Sequence, residues 1–204
     1  VTGTTHEAAL QPGRVFLTFD DGPDPEWTPR ILDALAEAGV HATFFMIGLQ
    51  ALKYPALVRR IDEAGHATGN HTFSHRHPWL LSSDEARNEV RVGAKALEDI
   101  LGHSPRFYRA PHGRHRACMD EEARRGGEAI VDWNLSAIDW GPLGNARGIA
   151  TRLSRVRDGD IVLMHDGRNR HNRPDELIAT LPAFLQELRR RSLSASPLDE
   201  LHSH

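Results

Sequence analysis

The sequence predicts a parallel α/β fold, a closed or distorted (β/α) barrel with about seven parallel strands, on three observations. Short, β-rich apolar runs alternate with amphipathic helical runs along the chain. About seven strand–helix units can be counted, which suits a barrel better than an open sheet, although alternation alone does not separate the two. Polar, chemically able side chains fall at the ends of the strand runs, where a parallel barrel gathers them on one rim. The length, 204 residues, allows one domain with a sizeable core.

A polar arm, residues 1–13, leads into a first strand at 14–19 that stops at the turn Asp20-Asp21-Gly22-Pro23. Thr28-Pro29 predicts a helix start, with Thr28 as N-cap; Ile31, Leu32, Leu35 and Ala38 form its apolar face and Gly39 ends it. A strand is expected over 40–47, a helix over 55–64 ending at Gly65, and a short strand up to Gly69. Ser82-Ser83-Asp84-Glu85 opens a long helix over 83–101, closed by Gly102. A strand at Phe107-Tyr108, a helix over 119–125, a strand over 128–133, a helix over 145–156 and a strand over 160–164 follow. The last elements are a helix over 175–191 and a weak strand near 193–195, so the domain is bounded at 14–196, with a tail at 197–204.

Composition narrows the function classes. Apolar residues at 39% and charged residues at 26% are the balance of a globular domain. A net charge of −3 gives no electrostatic case for nucleic acid and fits a neutral substrate better. The single cysteine, Cys118, excludes an internal disulfide and any multi-cysteine metal site, and reads as an ordinary packed thiol. No apolar run approaches the roughly 20 residues that span a bilayer. The first residues lack a signal-peptide pattern and the chain begins with Val, so a cytoplasmic location and export after leader removal both fit.

The chemistry-bearing residues form a pattern. His71 and His75 are four apart, a spacing that on a helical turn places both imidazoles on one face within reach of one ion. Thr72 stands where a zinc-protease helix would carry Glu, so a third ligand and any base must come from elsewhere. Asp20-Asp21 can supply both, since adjacent side chains leaving a strand point in different directions, although Asp-Gly-Pro is also ordinary turn chemistry. His165 ends a strand and suits general acid work, Asp139 can charge-stabilise an imidazolium, and Arg109 can hold a carboxylate bidentately. Each of these alone reads equally as a surface residue. Together, seven such residues following five strands would converge on one mouth. Asn70-His71-Thr72 and Asn134-Leu135-Ser136 match the glycosylation pattern but read as chance.

These segments, in order, resemble the five motifs of carbohydrate esterase family 4, the polysaccharide deacetylases: Thr18 to Pro23, His71 to His75, Arg109 to Gly113, Asp139-Trp140 and Leu163 to His165. The match runs from about Val15 to Gly167 and looks most like the compact rhizobial-type chitooligosaccharide deacetylases. The resemblance implies a distorted (β/α) barrel and a divalent ion, zinc first, held by Asp21, His71 and His75. It implies Asp20 as general base, His165 as general acid, Arg109 as the group that holds Asp20 and Asp139 as the group that tunes His165. Trp140 and Leu163 would line the acetyl pocket, and the backbone N–H beside His112 would help to bind the oxyanion. His112 departs from the family's usual Tyr or Phe, which bears on sugar packing rather than on catalysis; a perturbation of the metal region by His112 and His115 is the disfavoured reading. The activity implied is hydrolysis of the acetamido group of N-acetylglucosamine units in a glycan. The alternatives are an O-acetyl esterase acting on xylan through the same site and a glycan-binding module without catalysis. A complete base, acid and ligand set argues against the last, and the need to protonate an amine leaving group favours an amide over an ester.

Overall fold

The computed structural model describes residues 13–199. The polar arm expected at 1–13 thus lies outside the described residues except for Gly13, as does the tail after Asp199. The strands are β1 (Arg14–Asp20), β2 (Thr43–Met46), β3 (Ala67–Asn70), β4 (Phe107–Tyr108), β5 (Ala129–Ile130), β6 (Leu135–Ser136), β7 (Ile161–His165) and β8 (Ser194–Ser196). The helices are α1 (Trp27–Ala38), α2 (Gly48–Lys53), α3 (Pro55–Glu63), α4 (Ser83–Leu101), α5 (Ala117–Arg125), α6 (Ala146–Leu153) and α7 (Pro174–Arg190).

Every ladder between these strands is parallel, and seven of them run in the order β5-β4-β3-β2-β1-β7-β6. They curl into a half-barrel surrounded by helices, so the expected barrel is distorted and open between its end strands β5 and β6. β8 pairs Arg14–Phe16 while β2 pairs Thr18–Asp20, and Leu198 N–H donates to Thr43 Oγ1. The two short strands therefore share one edge of β1, end to end.

Side-chain alternation along β1 sorts the interior into two layers. Val15, Leu17 and Phe19 face outward, packing with Ile31 and Leu35 of α1, Ile61 of α3 and Leu177, Leu181 and Leu188 of α7. Phe16 faces inward and joins Phe45, Phe107, Ile161 and Leu198 in a separate apolar plug within the barrel. Leu198, assigned to the tail by sequence, is fully buried in this plug. Above Phe16 on the same face come Thr18 and then Asp20, so the barrel axis runs from an apolar floor to a polar mouth.

Several local expectations are corrected. Thr28 is not the N-cap of α1: Asp24 Oδ1 accepts from the N–H groups of Glu26 and Trp27, and Thr28 Oγ1 donates to Asp166 instead. The strand expected over 128–133 shrinks to β5, and β6 follows as a separate strand. The strand expected over 40–47 is confined to Thr43–Met46, because α2 begins at Gly48 with Ile47 as its cap. The capping box at Ser82 and Glu85 forms as its sequence implies. Cys118 is half-buried against Tyr108 and Met119. Among the described residues, no helix is long and apolar enough to cross a membrane.

Candidate active site

The mouth of the barrel is formed by the turns that leave β1, β3, β4, β6 and β7. At β1 the chain turns at Asp21, which adopts φ 72°, a left-handed conformation that costs a non-glycine residue of order 1–3 kcal/mol. The turn after β7 holds it there. Gly167 and Asp166 N–H groups both donate to Asp20 O, and a Cβ on Gly167 would lie 2.1 Å from Asp21 O, so only glycine permits this approach.

His71 and His75 leave β3 on a loop, not on a helical turn as their spacing suggested. Thr72 and His75 have φ of 66° and 56°, a conformation no helix would give them. Asn70 and side chains distant in sequence impose this path together. Asn70, fully buried, donates from Nδ2 to Val90 O and to Glu128, and accepts the Thr72 N–H through Oδ1. Glu89 accepts both the N–H and the hydroxyl of Ser74. Gly93 of α4 lets the loop lie against the helix, since a Cβ there would be 2.5 Å from Asn70 Oδ1 and 2.7 Å from the Thr72 carbonyl carbon. The burial and hydrogen bonding of Asn70 also dispose of the glycosylation reading at that position.

The loop brings two ring nitrogens to Asp21. His71 Nε2 lies 3.5 Å and His75 Nε2 3.2 Å from Asp21 Oδ1, and the three ligand atoms are all within 4.8 Å of one another. A tetrahedral ion with bonds of about 2.0–2.1 Å sets its ligand atoms roughly 3.3–3.4 Å apart, which these separations match. His71 Nδ1 lies 2.9 Å from Arg109 O, an acceptor, so the ring proton sits on Nδ1 and Nε2 offers a lone pair. Burial lowers the His71 pKa to about 4, which keeps that lone pair free. Asp21 Oδ2 is taken by Asn169 and Asn172 at 3.0 and 2.6 Å, whereas Oδ1 is buried with no hydrogen-bond partner among the described residues. Burial opposes the charge on Asp21, but His75, His165, His71 and Asn172 hold its carboxyl below its usual pKa. A buried, charged, unsatisfied oxygen facing two imidazole nitrogens is the donor set of a divalent cation, and these residues fit one.

Asp20 points along the inner face and is fixed by Arg109. The guanidinium donates from Nη1 to Asp20 Oδ1 and Thr18 Oγ1, both at 2.7 Å, from Nε to Val131 O and from Nη2 to Asp132 O. Its plane lies over Phe45 at 4.0 Å, on top of the apolar plug. Asp20 Oδ2 is left toward the cavity, 3.8 Å from His71 Nε2.

At the end of the neighbouring strand β7, His165, the register partner of Asp20, donates from Nδ1 to Asp139 Oδ1 at 2.8 Å, and Asp139 Oδ2 accepts the His165 backbone N–H. Burial by itself would depress the His165 pKa, but the charge and hydrogen bond of Asp139 outweigh it and raise the value to about 9. Trp140 stands edge-on to His165 with ring centroids 5.3 Å apart. A cavity of about 300 Å³ collects Asp20, Asp21, His71, His75, His112, Trp140, Leu163 and His165, with Arg109 and Asp139 directly behind Asp20 and His165. All ten residues singled out by sequence are thus brought together. A larger depression of about 630 Å³ between α1, α7 and β8 contains none of them.

Other residues escape sequence reasoning. Asn169 and Asn172 orient Asp21 and line the cavity; their signal was a pair of amides in the same loop as His165. Trp133 also lines the cavity. Asp166 is fully buried, accepts the Thr28 hydroxyl and presses on Gly22, and burial pushes its pKa up to about 7. His112 packs edge-on to His75 at 4.5 Å and stacks on His77, while burial and those two rings lower its pKa. His115 turns away from the metal residues and toward Asp120 and Asp132.

The polysaccharide deacetylase family profile matches residues 8–130. A chitooligosaccharide deacetylase of Bradyrhizobium is 34% identical over 92% of this chain and 90% of its own length. A peptidoglycan-N-acetylglucosamine deacetylase of Bacillus cereus is 37% identical over 77% of this chain and 57% of its own length. Among solved structures, a family 4 carbohydrate esterase from Streptomyces lividans, in complex with acetate, superposes with a TM-score of 0.81 and 31% identity, covering 90% of this chain and 91% of that one. With the motifs, the parallel half-barrel and these likenesses in agreement, the chain belongs to the polysaccharide deacetylase family.

Proposed function

We propose that this chain removes the acetyl group from N-acetylglucosamine units of a chitooligosaccharide or a related glycan, with Asp21, His71 and His75 holding a zinc ion. The observation that carries the reading is the convergence of Asp20 and His165, register partners on the adjacent strands β1 and β7, on one cavity that also holds the unsatisfied Asp21 Oδ1 and two ring nitrogens. A divalent cation there supplies Lewis acidity, which makes water nucleophilic near neutral pH and polarises the acetyl carbonyl.

Asp20 takes a proton from the attacking water as the new C–O bond forms. Arg109 occupies its Oδ1, so Oδ2 is the basic atom, directed at the cavity. His165 holds a proton on Nε2, because Nδ1–H is committed to Asp139 and the pKa lies above neutrality. It delivers that proton to the amide nitrogen as the C–N bond breaks, giving a free amine and acetate. Without this step the leaving group would be an amine anion, which is why an acid of raised pKa suits an amide. Leu163 and Trp140 flank the space for the acetyl methyl, and His112 faces the sugar.

The test is acetate release from N-acetylglucosamine oligomers, with acetylated xylan assayed in parallel. Asp20→Asn removes the base while leaving the three ligands in place, and a rate loss of about 10²–10⁴ with metal content preserved is expected. An unchanged rate in that variant would contradict the assignment of the base. Faster release from xylan than from the oligomers would replace the amide reading with the ester one.

A further inference from the structure

The half-barrel has no ladder between its end strands β5 and β6; the connection 131–134 that bridges them is tied at its ends by backbone hydrogen bonds, Val131 N–H to Tyr108 O and Asn134 N–H to Ile161 O, and between them by side chains. From inside, Arg109 donates to Val131 O and Asp132 O. From outside, His115 reaches the same connection: its Nε2 lies 3.0 Å from both Asp132 carboxylate oxygens, and its Nδ1 lies 3.2 Å from Asp120 Oδ1 on α5. A neutral imidazole has one donor and one acceptor nitrogen, so two carboxylates, one on each nitrogen, are satisfied only by the doubly protonated ring. The next residue along, Trp133, lines the cavity, packs 5.5 Å from the Arg109 guanidinium and leaves no room for a side chain on Gly113.

We propose that His115 is a positioning residue: as an imidazolium bridging Asp120 and Asp132, it clamps the β5–β6 connection and thereby holds Trp133 and Arg109, and through Arg109 the base Asp20, in working geometry. The inference rests on the role given to Asp20 above. Asp120 and Asp132 are the charged groups that face the ring, and their hydrogen bonds and charges outweigh burial and raise its pKa to about 10. Removal of the charge leaves two carboxylates facing one another across the gap and loosens the Asp132–Trp133 part of the connection, where the Asp132 carbonyl accepts from Arg109. The metal ligands lie on the loops that follow β1 and β3 and are not part of this contact.

His115→Gln keeps size and one hydrogen bond but not the charge; His115→Arg restores a cation that can reach both carboxylates. For zinc-loaded protein, the clamp requires that His115→Gln lose about tenfold in kcat, the scale of a group that orients a site residue, with KM and zinc content within about twofold of wild type. His115→Arg should recover most of that loss. A purely stabilising contact would lower Tm in His115→Gln and leave kcat of the folded enzyme unchanged, which would overturn the proposal, as would equal kcat losses in both variants. Independently of activity, the ¹⁵N shifts of the His115 ring should report both nitrogens protonated at pH 8. A neutral ring at that pH would also overturn the clamp. If the wild type released no acetate from any oligomer, the reading of the function would fail, while the ring titration would still decide the state of His115.

Discussion

Replacing Arg109 by methionine removes the cation that pairs with Asp20 and keeps most of the side chain's volume. Four acceptors lose their donor: Asp20 Oδ1, Thr18 Oγ1, Val131 O and Asp132 O. The terms differ in weight. Thr18 still donates to Val162 O, and the Asp132 side chain is partly exposed, so water can reach that region. Asp20 has no such relief, with its side chain only 4% exposed. Stranding a buried charge costs about 3–5 kcal/mol, more than the roughly 1–3 kcal/mol of a neutral acceptor left unpaired, so the carboxylate decides the outcome. Arg109→Met should therefore destabilise the fold by about 3–5 kcal/mol, a large part of the about 5–15 kcal/mol available to a domain. Arg109→Lys keeps a partner for Asp20 but lacks the fork that also reaches the carbonyls of Val131 and Asp132, and its loss should stay within about 1–3 kcal/mol. Urea titration followed by far-UV circular dichroism measures both. An Arg109→Met variant within about 1 kcal/mol of wild type, or a lysine variant as damaged as the methionine one, would show that the ion pair does not hold Asp20 as described.

Two further outcomes concern pH. Asp139→Asn leaves burial as the main influence on His165, so its pKa should fall from about 9 to below the ordinary 6.5, moving the alkaline limb of kcat to lower pH and cutting the rate roughly tenfold or more at pH 8; a limb that stays in place would refute the role of Asp139. Glu128 is 4% exposed, and burial raises its pKa from 4.5 to about 8. Between those values the unfolded chain has lost the proton that the native state retains, so stability should decline as pH rises from about 4.5 and level off above about 8. Glu128→Gln should flatten that decline and be the more stable form at pH 8.5, by on the order of 2–4 kcal/mol, as read from urea unfolding at pH 5 and pH 8.5.

The parallel α/β class, the long helices and the five chemical segments were legible in the sequence because each is a local property. α4 and α7 have uninterrupted apolar periodicity, and the α4 ends carry Ser82 with Glu85 and Gly102. In β1, alternation by itself assigns Val15, Leu17 and Phe19 to one face and Phe16, Thr18 and Asp20 to the other. β5 and β6 could not be read this way. Each is two residues long, and their connection is held by Arg109 and His115 from other segments.

The sequence by itself determined which residue types would meet, since a parallel sheet carries the ends of its strands to one rim and the chemistry-bearing residues sit at those ends. The tertiary structure alone decided how they meet. His71 and His75 converge through left-handed backbone imposed by Asn70, Glu89 and Gly93, not through helical spacing, and Asp21 presents Oδ1 rather than Oδ2 because Asn169 and Asn172 occupy the latter. Apart from the Asn70–Thr72 contact, which spans two positions, these orienting contacts join residues from 15 to 151 positions apart, and local sequence pattern does not encode hydrogen bonds closed over such separations.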